Sequence, residues 1–214
     1  MGAETRKHIV ETDPRITKQG VIAIILRPSD SKDGSYTYYL LDHNGYSHTE
    51  VDGRKTVVGG IGLLSETMHN GESPEDYLTV LARGYVEEIM GISPETGTSS
   101  ESFNNLVSQT KESMRTNLRE IGSFLHDFNY HDRNHYADDP DTRGHVHVFL
   151  DDHAVMDIGD INQEEVTFAG YLGSGVDGID HPRAHFRSGY DTRLLLNSPE
   201  LQDILIEHCI TIET

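Results

Sequence analysis

Two adjacent acids, Glu87 and Glu88, are the side chains of this sequence best suited to chemistry. On a helix that advances about 100° per residue, Arg83 and Glu87 fall on one polar face, and Glu88 lies at its flank. Paired carboxylates suit a hard cation such as Mg²⁺ or Mn²⁺, which in turn binds phosphate oxygens. A Glu-Glu pair is more often an ordinary pair of solvated helix charges. The pair alone therefore decides nothing.

The element that carries these acids is predicted to be a helix beginning at Pro74 and stopping at Gly91. Ser73 is a suitable N-cap, Pro74 suits the first helical position, and Asp76 stands where a capping-box acid belongs. Apolar residues recur at the spacing of a helix that buries one face. They are Tyr77, Leu78, Leu81, Ala82, Tyr85, Val86 and Ile89.

The stretch 59–92, from a predicted glycine turn at Gly59 and Gly60 to the end of this helix, resembles the signature of the Nudix hydrolase superfamily. That signature reads G, five residues, E, seven residues, then R-E-U-x-E-E-x-G-U, where U is a bulky aliphatic residue. The phrases GESPE at 71–75 and RGYVEE at 83–88 each match a part of it. The order of turn, loop and helix matches as well.

The chain also departs from the signature. Gly84 stands where the signature has a glutamate. Ten residues rather than seven separate Glu72 from Arg83, and two rather than one separate Glu88 from Gly91. The loop between the glycine turn and Glu72 is longer by six residues. Three inserted residues add nearly one helical turn, so a longer helix keeps roughly the same buried face.

The resemblance implies divalent-metal-dependent hydrolysis of a diphosphate linkage in a nucleoside diphosphate joined to another group. Glu87 and Glu88 would ligate Mg²⁺ or Mn²⁺, and Gly60 would offer a backbone carbonyl. Arg83 would orient Glu87 through an i, i+4 ion pair. One alternative is a Nudix-like domain that binds a nucleotide or nucleotide-sugar as a sensor and hydrolyses it weakly or not at all. Another is a structural domain whose acids are merely solvated.

Gly84 keeps the sensor interpretation open, because it stands where the signature has a carboxylate. Glycine inside a helix also costs about 1 kcal/mol relative to alanine, so some other contact should compensate for it. Either the metal site is degraded, or an acid from elsewhere takes over. Asp76 is excluded, since eleven residues of helix place it about 16 Å from Glu87. The remaining acids are Glu66, Glu72, Asp151, Asp152, Glu164 and Glu165. Gly84→Glu is predicted to tighten Mg²⁺ or Mn²⁺ binding, since it adds a third carboxylate beside Glu87 and Glu88 on the helix surface.

The remaining pattern predicts an α/β fold. Residues 20–27 form a continuous apolar run typical of a buried central strand, paired as a hairpin with 36–42. A polar loop is expected at 43–55, and further strands at 118–125, 144–150 and 166–172. A helix at 198–208 should pack on the face of the sheet opposite the first helix. Together with the resemblance, this predicts a Nudix-like α/β/α sandwich with a mixed, partly antiparallel sheet and insertions.

The length of 214 residues suits a single domain, 1–214. Residues 1–18 are predicted to form a loose N-terminal arm. Residues 93–116 are predicted to be an insertion after the first helix, weakly helical around 103–114, that serves as a surface lid or spacer.

Two histidines and two arginines are candidates for contact with the substrate. His145 and His147 alternate with valines, so both imidazoles should lie on one strand face. A transition-metal site with His126, His131, His135 and His153 is the weaker interpretation, because no cysteine or fixed carboxylate spacing accompanies these residues. Arg183 and Arg187 lie in a predicted loop at 173–187, where they could meet phosphates.

Composition restricts the partners. With 17 Lys and Arg against 36 Asp and Glu, the formal charge of −19 repels nucleic-acid backbones and anionic membranes, so neither is an expected partner. The small phosphorylated substrate that the resemblance implies remains compatible with this charge, because a bound divalent ion and one or two arginines can override the general field locally. The longest apolar run is too short for a membrane span, and no signal peptide is evident. The single cysteine, Cys209, permits no internal disulfide and fits a cytoplasmic protein. Oligomeric state stays open, with a homodimer as one option.

Overall fold

A computed structural model describes residues 16–29, 34–51, 54–129, 141–153, 156, 166–172 and 187–213. For residues 17, 42–51, 54–61, 96, 166–172 and 187–191 it describes the backbone alone.

Within these residues the fold is built on one mixed sheet of seven strands. The strands are β1 (Ile16–Pro28), β2 (Tyr36–Val51), β3 (Arg54–Gly62), β4 (Leu64–Thr67), β5 (Arg119–Phe128), β6 (Asp141–Leu150) and β7 (Val166–Leu172). Their order is β3-β2-β1-β6-β5, with β4 added to β1 and β7 added to β2. The β1–β6 pair is parallel, and the other pairs are antiparallel. The predicted mixed, partly antiparallel sheet is confirmed, as is the hairpin of β1 with β2.

Four α-helices flank the sheet in the described part of the chain. They are α1 (Tyr77–Gly84), α2 (Ser100–Asn117), α3 (Arg187–Leu196) and α4 (Pro199–Glu207). A single 3₁₀ turn, Pro74–Asp76, precedes α1, a π-helical turn, Tyr85–Ile89, continues it, and a second 3₁₀ turn, Pro94–Thr96, precedes α2. None of the helices in the described ranges is long and apolar enough to cross a membrane.

The central strand β1 is buried on both faces, as its unbroken apolar run predicts. Alternate residues of a strand point to opposite faces. Val21, Ala23 and Ile25 belong to a core cluster shared with α1 and α2. The intervening residues Ile22, Ile24 and Leu26 belong to a second cluster, shared with α3 and α4. The predicted α/β/α layering is therefore confirmed, and α4 packs opposite α1 as expected.

Helix α2 is a packed part of the first core cluster. Phe103, Val107 and Met114 are buried in it, so the predicted helix around 103–114 is confirmed, and its description as a surface lid or spacer is wrong. Its status as an insertion stays a prediction, as does the single-domain boundary. Residues 16–18 already belong to β1, and the rest of the predicted N-terminal arm lies outside the described residues.

Two expectations before the first helix are wrong. The polar segment 43–55 is not a loop, because β2 continues to Val51 and pairs with β3 from Arg54 onward. Gly59 and Gly60 do not form a turn, because both lie inside β3. Gly60 pairs with His43 next to a register shift in β2. Backbone pairing does not require apolar side chains, and glycine is common where a strand is irregular.

Candidate functional site

The helix that carries the candidate acids begins where the sequence predicts. The Glu75 amide donates to the Ser73 hydroxyl over 3.2 Å, which makes Ser73 the N-cap. The first turn at Pro74 is 3₁₀, and the α-helix proper begins at Tyr77. At the other end Gly91 has φ +67°, the left-handed conformation that glycine adopts readily after a helix.

The last turn before Gly91 is a π-turn over Tyr85–Ile89, and it contains both candidate carboxylate ligands, Glu87 and Glu88. The Met90 amide donates to the Tyr85 carbonyl over 3.1 Å, five residues back instead of four. A π-turn accommodates one extra residue in an α-helix. The spacing from Glu88 to Gly91 is also one residue longer than in the signature. The sequence shows this excess but not how the helix absorbs it.

Arg83 is the centre of the candidate site. Its side chain is 9% exposed, and its Nη1 atom lies 3.2 Å from Glu66 Oε1 and 3.5 Å from Glu87 Oε2. Its Nη2 atom lies 3.1 Å from Glu72 Oε2 and donates to the Thr67 carbonyl over 2.7 Å. The predicted Arg83–Glu87 pair is confirmed as a contact. One guanidinium thus gathers carboxylates from β4, the following loop and the π-turn.

The charges in this cluster are strongly coupled. Burial lowers the pKa of Arg83, but Glu66, Glu72 and Glu87 together raise it, so Arg83 stays charged. Burial raises the pKa of Glu66, and the nearby charge of Glu87 adds to that rise, while Arg83 opposes it. The hydrogen bond from the Thr67 amide to Glu66 Oε1, 2.8 Å long, also favours the charged form. The pKa of Glu66 therefore depends on burial and on the charges of both Arg83 and Glu87.

Glu66 also explains why position 84 is glycine. A Cβ atom added to Gly84 would lie 3.0 Å from both Cβ and Oε2 of Glu66. The helix and β4 can approach this closely only because Gly84 has no side chain. The place that a glutamate at position 84 would fill is thus occupied by the side chain of Glu66. This packing favours the account in which another acid takes over, and under it Gly84→Glu is no longer expected to tighten metal binding.

The other two predicted ligands, Glu88 and Gly60, lie on the π-turn and in β3. Glu88 is half-buried on the π-turn. Gly60 lies in β3, where only the backbone is described. Within the described residues no group of three or more His, Cys, Asp or Glu side chains is arranged so that it could hold a metal ion. Metal binding therefore stays a prediction.

Of the later candidate acids, Asp151 and Asp152 are described, and neither forms an ion pair with Arg83 in the described part of the chain. Asp151 is fully buried, and its Oδ2 atom accepts a hydrogen bond from the Met156 amide over 3.1 Å. Burial raises the pKa of Tyr85, and the nearby charge of Asp151 adds to that rise. Asp152 is exposed and pairs with Arg119 over 3.5 Å. Glu164 and Glu165 lie outside the described residues.

His145 and His147 lie on one face of β6, as predicted, but in different environments. His145 is half-buried and contacts Gln19 Oε1 over 2.9 Å. Burial lowers its pKa, and the neighbouring charges of His147 and Arg143 act in the same direction. His147 is buried, with Nδ1 2.8 Å from Glu120 Oε1. Contact of either imidazole with a substrate stays a prediction.

Tyr77 and Glu120 complete the surroundings of His147. The rings of Tyr77 and His147 stack with centroids 3.7 Å apart, and the Tyr77 hydroxyl donates to Glu120 Oε2 over 2.6 Å. Burial and this bond raise the pKa of Tyr77 to about 12. The first helix is thereby fixed to β5 and β6 at its start and to β4 at its end. The apolar spacing predicted a core role for Tyr77, and nothing in the sequence indicated its hydrogen bond.

Contact of Arg183 and Arg187 with phosphates stays a prediction. Arg183 lies outside the described residues. Arg187 is the first residue of α3, and its side chain is not described. The rest of the predicted loop 173–187 also lies outside the described residues. Helix α3 itself was not predicted.

No protein-family model and no curated protein matches this sequence. Several solved structures resemble its fold. A mutT/nudix family protein from Listeria innocua is 11% identical, with a TM-score of 0.49, and the match covers 91% of this chain and 97% of that chain. The NUDIX domain of Shewanella oneidensis NrtR, complexed with ADP ribose, is 12% identical, with a TM-score of 0.44 and coverage of 97% and 99%. A Nudix hydrolase from M. smegmatis, RenU, is 10% identical, with a TM-score of 0.44 and coverage of 92% and 90%. Similarity at this level assigns no activity to this chain.

Proposed function

We propose that this chain is a Nudix-type hydrolase that cleaves a diphosphate linkage in a nucleoside diphosphate joined to another group, with Mg²⁺ or Mn²⁺ as cofactor. The supporting observation is the convergence of Glu66, Glu72 and Glu87 on the buried guanidinium of Arg83. This cluster lies at the helix end that matches the signature. Acids that were merely solvated helix charges would not converge on one buried arginine in this way.

The donor atoms of this cluster suit a hard divalent cation. Glu66 uses Oε1 on Arg83, and Glu87 uses Oε2. Among the described residues, no hydrogen bond or ion pair involves the second oxygen of either carboxylate. Mg²⁺ commonly binds one or two carboxylates and completes its coordination with waters and substrate phosphates. A site in which the protein supplies only two carboxylates is therefore compatible with Mg²⁺.

Each residue has a distinct role in this proposal. Glu87 and Glu88 hold the cation, and the Gly60 carbonyl is a third candidate donor. Arg83 orients Glu87, and Glu72 and the Thr67 carbonyl fix Arg83 in turn. When bound, the cation would polarise the phosphoryl oxygen and activate water. The chain's own residues orient the carboxylates, and Arg83 opposes the rise in the pKa of Glu66 that burial causes.

A nucleotide-binding sensor is the second candidate, and Gly84 is the observation that favours it. The helix itself contributes two carboxylates, Glu87 and Glu88, where the signature has three. A site with fewer carboxylates would bind the cation weakly and could retain a phosphorylated ligand without cleaving it.

The test is a panel of nucleotide-sugars, dinucleotides and nucleoside triphosphates, each assayed for cleavage and for binding with Mg²⁺ and with Mn²⁺. We expect Glu87→Gln to reduce the rate of cleavage by about two orders of magnitude or more, because charge stabilisation at the reacting phosphoryl group is the largest contribution of such a site. Glu75→Gln removes an equal charge from an exposed position on the same segment and serves as the control.

The outcomes separate the candidates. Cleavage that Glu87→Gln abolishes and Glu75→Gln preserves supports the hydrolase. Tight binding of a panel member without turnover supports the sensor. If the chain neither binds nor cleaves any member, the cluster is a structural ion-pair network, and the proposal is wrong.

A further inference from the structure

We infer that Glu66, on the short strand β4, supplies the carboxylate that the helix lacks at position 84, and that it acts as a ligand or positioning residue for the divalent cation. This inference rests on the proposed function and names one residue of that site. The signature places three acids on the helix. In this chain the third acid comes from the sheet.

The first step is steric. A side chain at position 84 would start 3.0 Å from Glu66 Cβ and Oε2, so the two positions compete for one space. Glu66 reaches that space because β4 pairs with β1, with Glu66 opposite Val21. Val21 belongs to the core under α1, so the Glu66 side chain projects towards the helix. The carboxylate is therefore held against the helix at the level of Gly84.

The second step is orientation. Glu66 Oε1 is held by the Thr67 amide at 2.8 Å and by Arg83 Nη1 at 3.2 Å. The same Nη1 atom contacts Glu87 Oε2 at 3.5 Å, so the two carboxylates share one nitrogen of Arg83. With Oε1 engaged, Oε2 is the oxygen directed to Gly84. A carboxylate fixed through one oxygen presents the other in a defined direction, which is what a positioned ligand requires.

Glu72 is the neighbouring acid that is also fixed through one oxygen, and the position of Glu66 against Gly84 distinguishes the two. It contacts the other nitrogen of Arg83, at 3.1 Å, and it also accepts the His69 amide over 2.6 Å. Both contacts use Oε2, so Glu72 orders the loop and the arginine. The three atoms nearest to a Cβ added at Gly84 all belong to Glu66.

The experiment measures Mn²⁺ binding to the full chain without substrate, by calorimetry and by the electron paramagnetic resonance signal of free Mn²⁺. We expect Glu66→Gln to weaken Mn²⁺ affinity by about tenfold or more, as loss of a ligand or of its direct support does. Glu75→Gln, which removes the same charge from an exposed position, should change it by less than about twofold, since exposed charges act only weakly at a distance. Circular dichroism and thermal unfolding in EDTA check that each variant is folded.

A charge swap makes the test specific. Gly84→Glu in the parent should leave affinity unchanged or weaker, because Glu66 fills the space. In a Glu66→Gly background, the same Gly84→Glu change should recover about tenfold, because the carboxylate returns from the helix side. Glu66→Gly is used because the Cβ of residue 66 also obstructs position 84.

The outcomes are distinct. Loss with Glu66→Gln and recovery in the double variant support the inference. If Glu87→Gln abolishes Mn²⁺ binding while folded Glu66→Gln keeps the parent affinity, the inference is wrong and the proposed function stands. If Gly84→Glu tightens binding in the parent, the place was vacant and the inference is also wrong. If the parent binds no Mn²⁺, the metal-dependent function fails together with it.

Discussion

Gly84 has no side chain because Glu66, on a different element, packs against its backbone. A glycine within a helix is unfavourable because its backbone is more flexible when unfolded. Here that cost is offset by the close contact with Glu66, which brings β4 against the helix and places a carboxylate beside Arg83. Glycine at this position is thus a packing requirement of the site.

This packing predicts that Gly84→Ala destabilises the protein, although alanine is the better helix former by about 1 kcal/mol. The added Cβ meets the Cβ of Glu66, which is fixed to the strand backbone and cannot rotate away. Overpacking of this kind typically costs about 1–3 kcal/mol. Urea unfolding of the parent and the variant measures the difference.

The matched control is the same substitution in a Glu66→Gly background, where the obstructing Cβ is absent. There Gly84→Ala should cost clearly less, or stabilise. If Gly84→Ala stabilises the otherwise unchanged protein, the contact between β4 and the helix is looser than the structure indicates.

For single residues, the sequence could predict a contact within one helical turn, but it could not predict contacts between different elements. Arg83 and Glu87 are one helical turn apart, so their pairing follows from spacing alone. Glu66 was one of six candidate acids, and its selection depends on the way β4 returns along β1. The pairing of Glu120 with His147 depends equally on strand register. Register is a property of the whole sheet, so no short motif encodes it.

Among the elements, the π-turn explains how an irregular signature remains compatible with a regular core. The additional residue widens the turn at Tyr85–Ile89, and Gly91 still ends the helix in the left-handed conformation. Val86 and Ile89 remain fully buried on either side of the two acids. Turns of this kind recur at functional sites, because they change the direction of side chains without breaking the helix.

The start of the same segment is joined to α2 by one ion pair. Lys111 Nζ lies 2.6 Å from Asp76 Oδ1, and this bond to Lys111 lowers the pKa of Asp76. A carboxyl whose pKa is lowered by folding stabilises the protein above its unfolded pKa, and the contribution is lost as pH falls through its folded pKa. Asp76→Asn should therefore destabilise at neutral pH and have no effect in strong acid.

The effect of Asp76→Asn should stay below about 1 kcal/mol, because both side chains are substantially exposed. Urea unfolding at a series of pH values measures it. Asp203→Asn, an exposed position on α4, is the control for the loss of one negative charge. A difference between parent and Asp76→Asn that is constant across pH would show that the ion pair is not its source.

The element predictions succeeded where burial fixes the pattern and failed where it does not. The apolar run of β1 and the stripes of the first helix and α4 each gave the right element and the right face. The extension of β2 through 43–51 was missed, because its residues are polar and its pairing with β3 depends on the partner strand. Polar strands carry little periodic signal, so such errors are expected.

For the whole molecule, the net charge of −19 predicts a marked response to salt. Like charges spread over one compact molecule repel each other, and dissolved ions screen that repulsion within about 10 Å at 0.1 M salt. We expect the thermal unfolding midpoint to rise as KCl is increased from a few millimolar towards the physiological range. The measurement is made with EDTA present, so that bound divalent ions do not contribute.

Sucrose at matched osmolality is the control, because it stabilises compact states without screening charge. If KCl raises the midpoint no more than sucrose does, repulsion among the acids is not a significant cost in this fold.

The parallel pairing of β1 with β6 has a consequence for the order in which the molecule can form. Ile16 pairs with Asp141, and Leu26 pairs with Leu150, so the centre of the sheet joins strands from distant parts of the chain. Long-range pairs must close a large loop before they gain any contact energy, which slows folding. While the chain is being synthesised, β1 has one side without its final neighbour until residue 150 has left the ribosome. Until then the apolar run of β1, residues 21–26, lies at an open edge that is exposed to association with other chains.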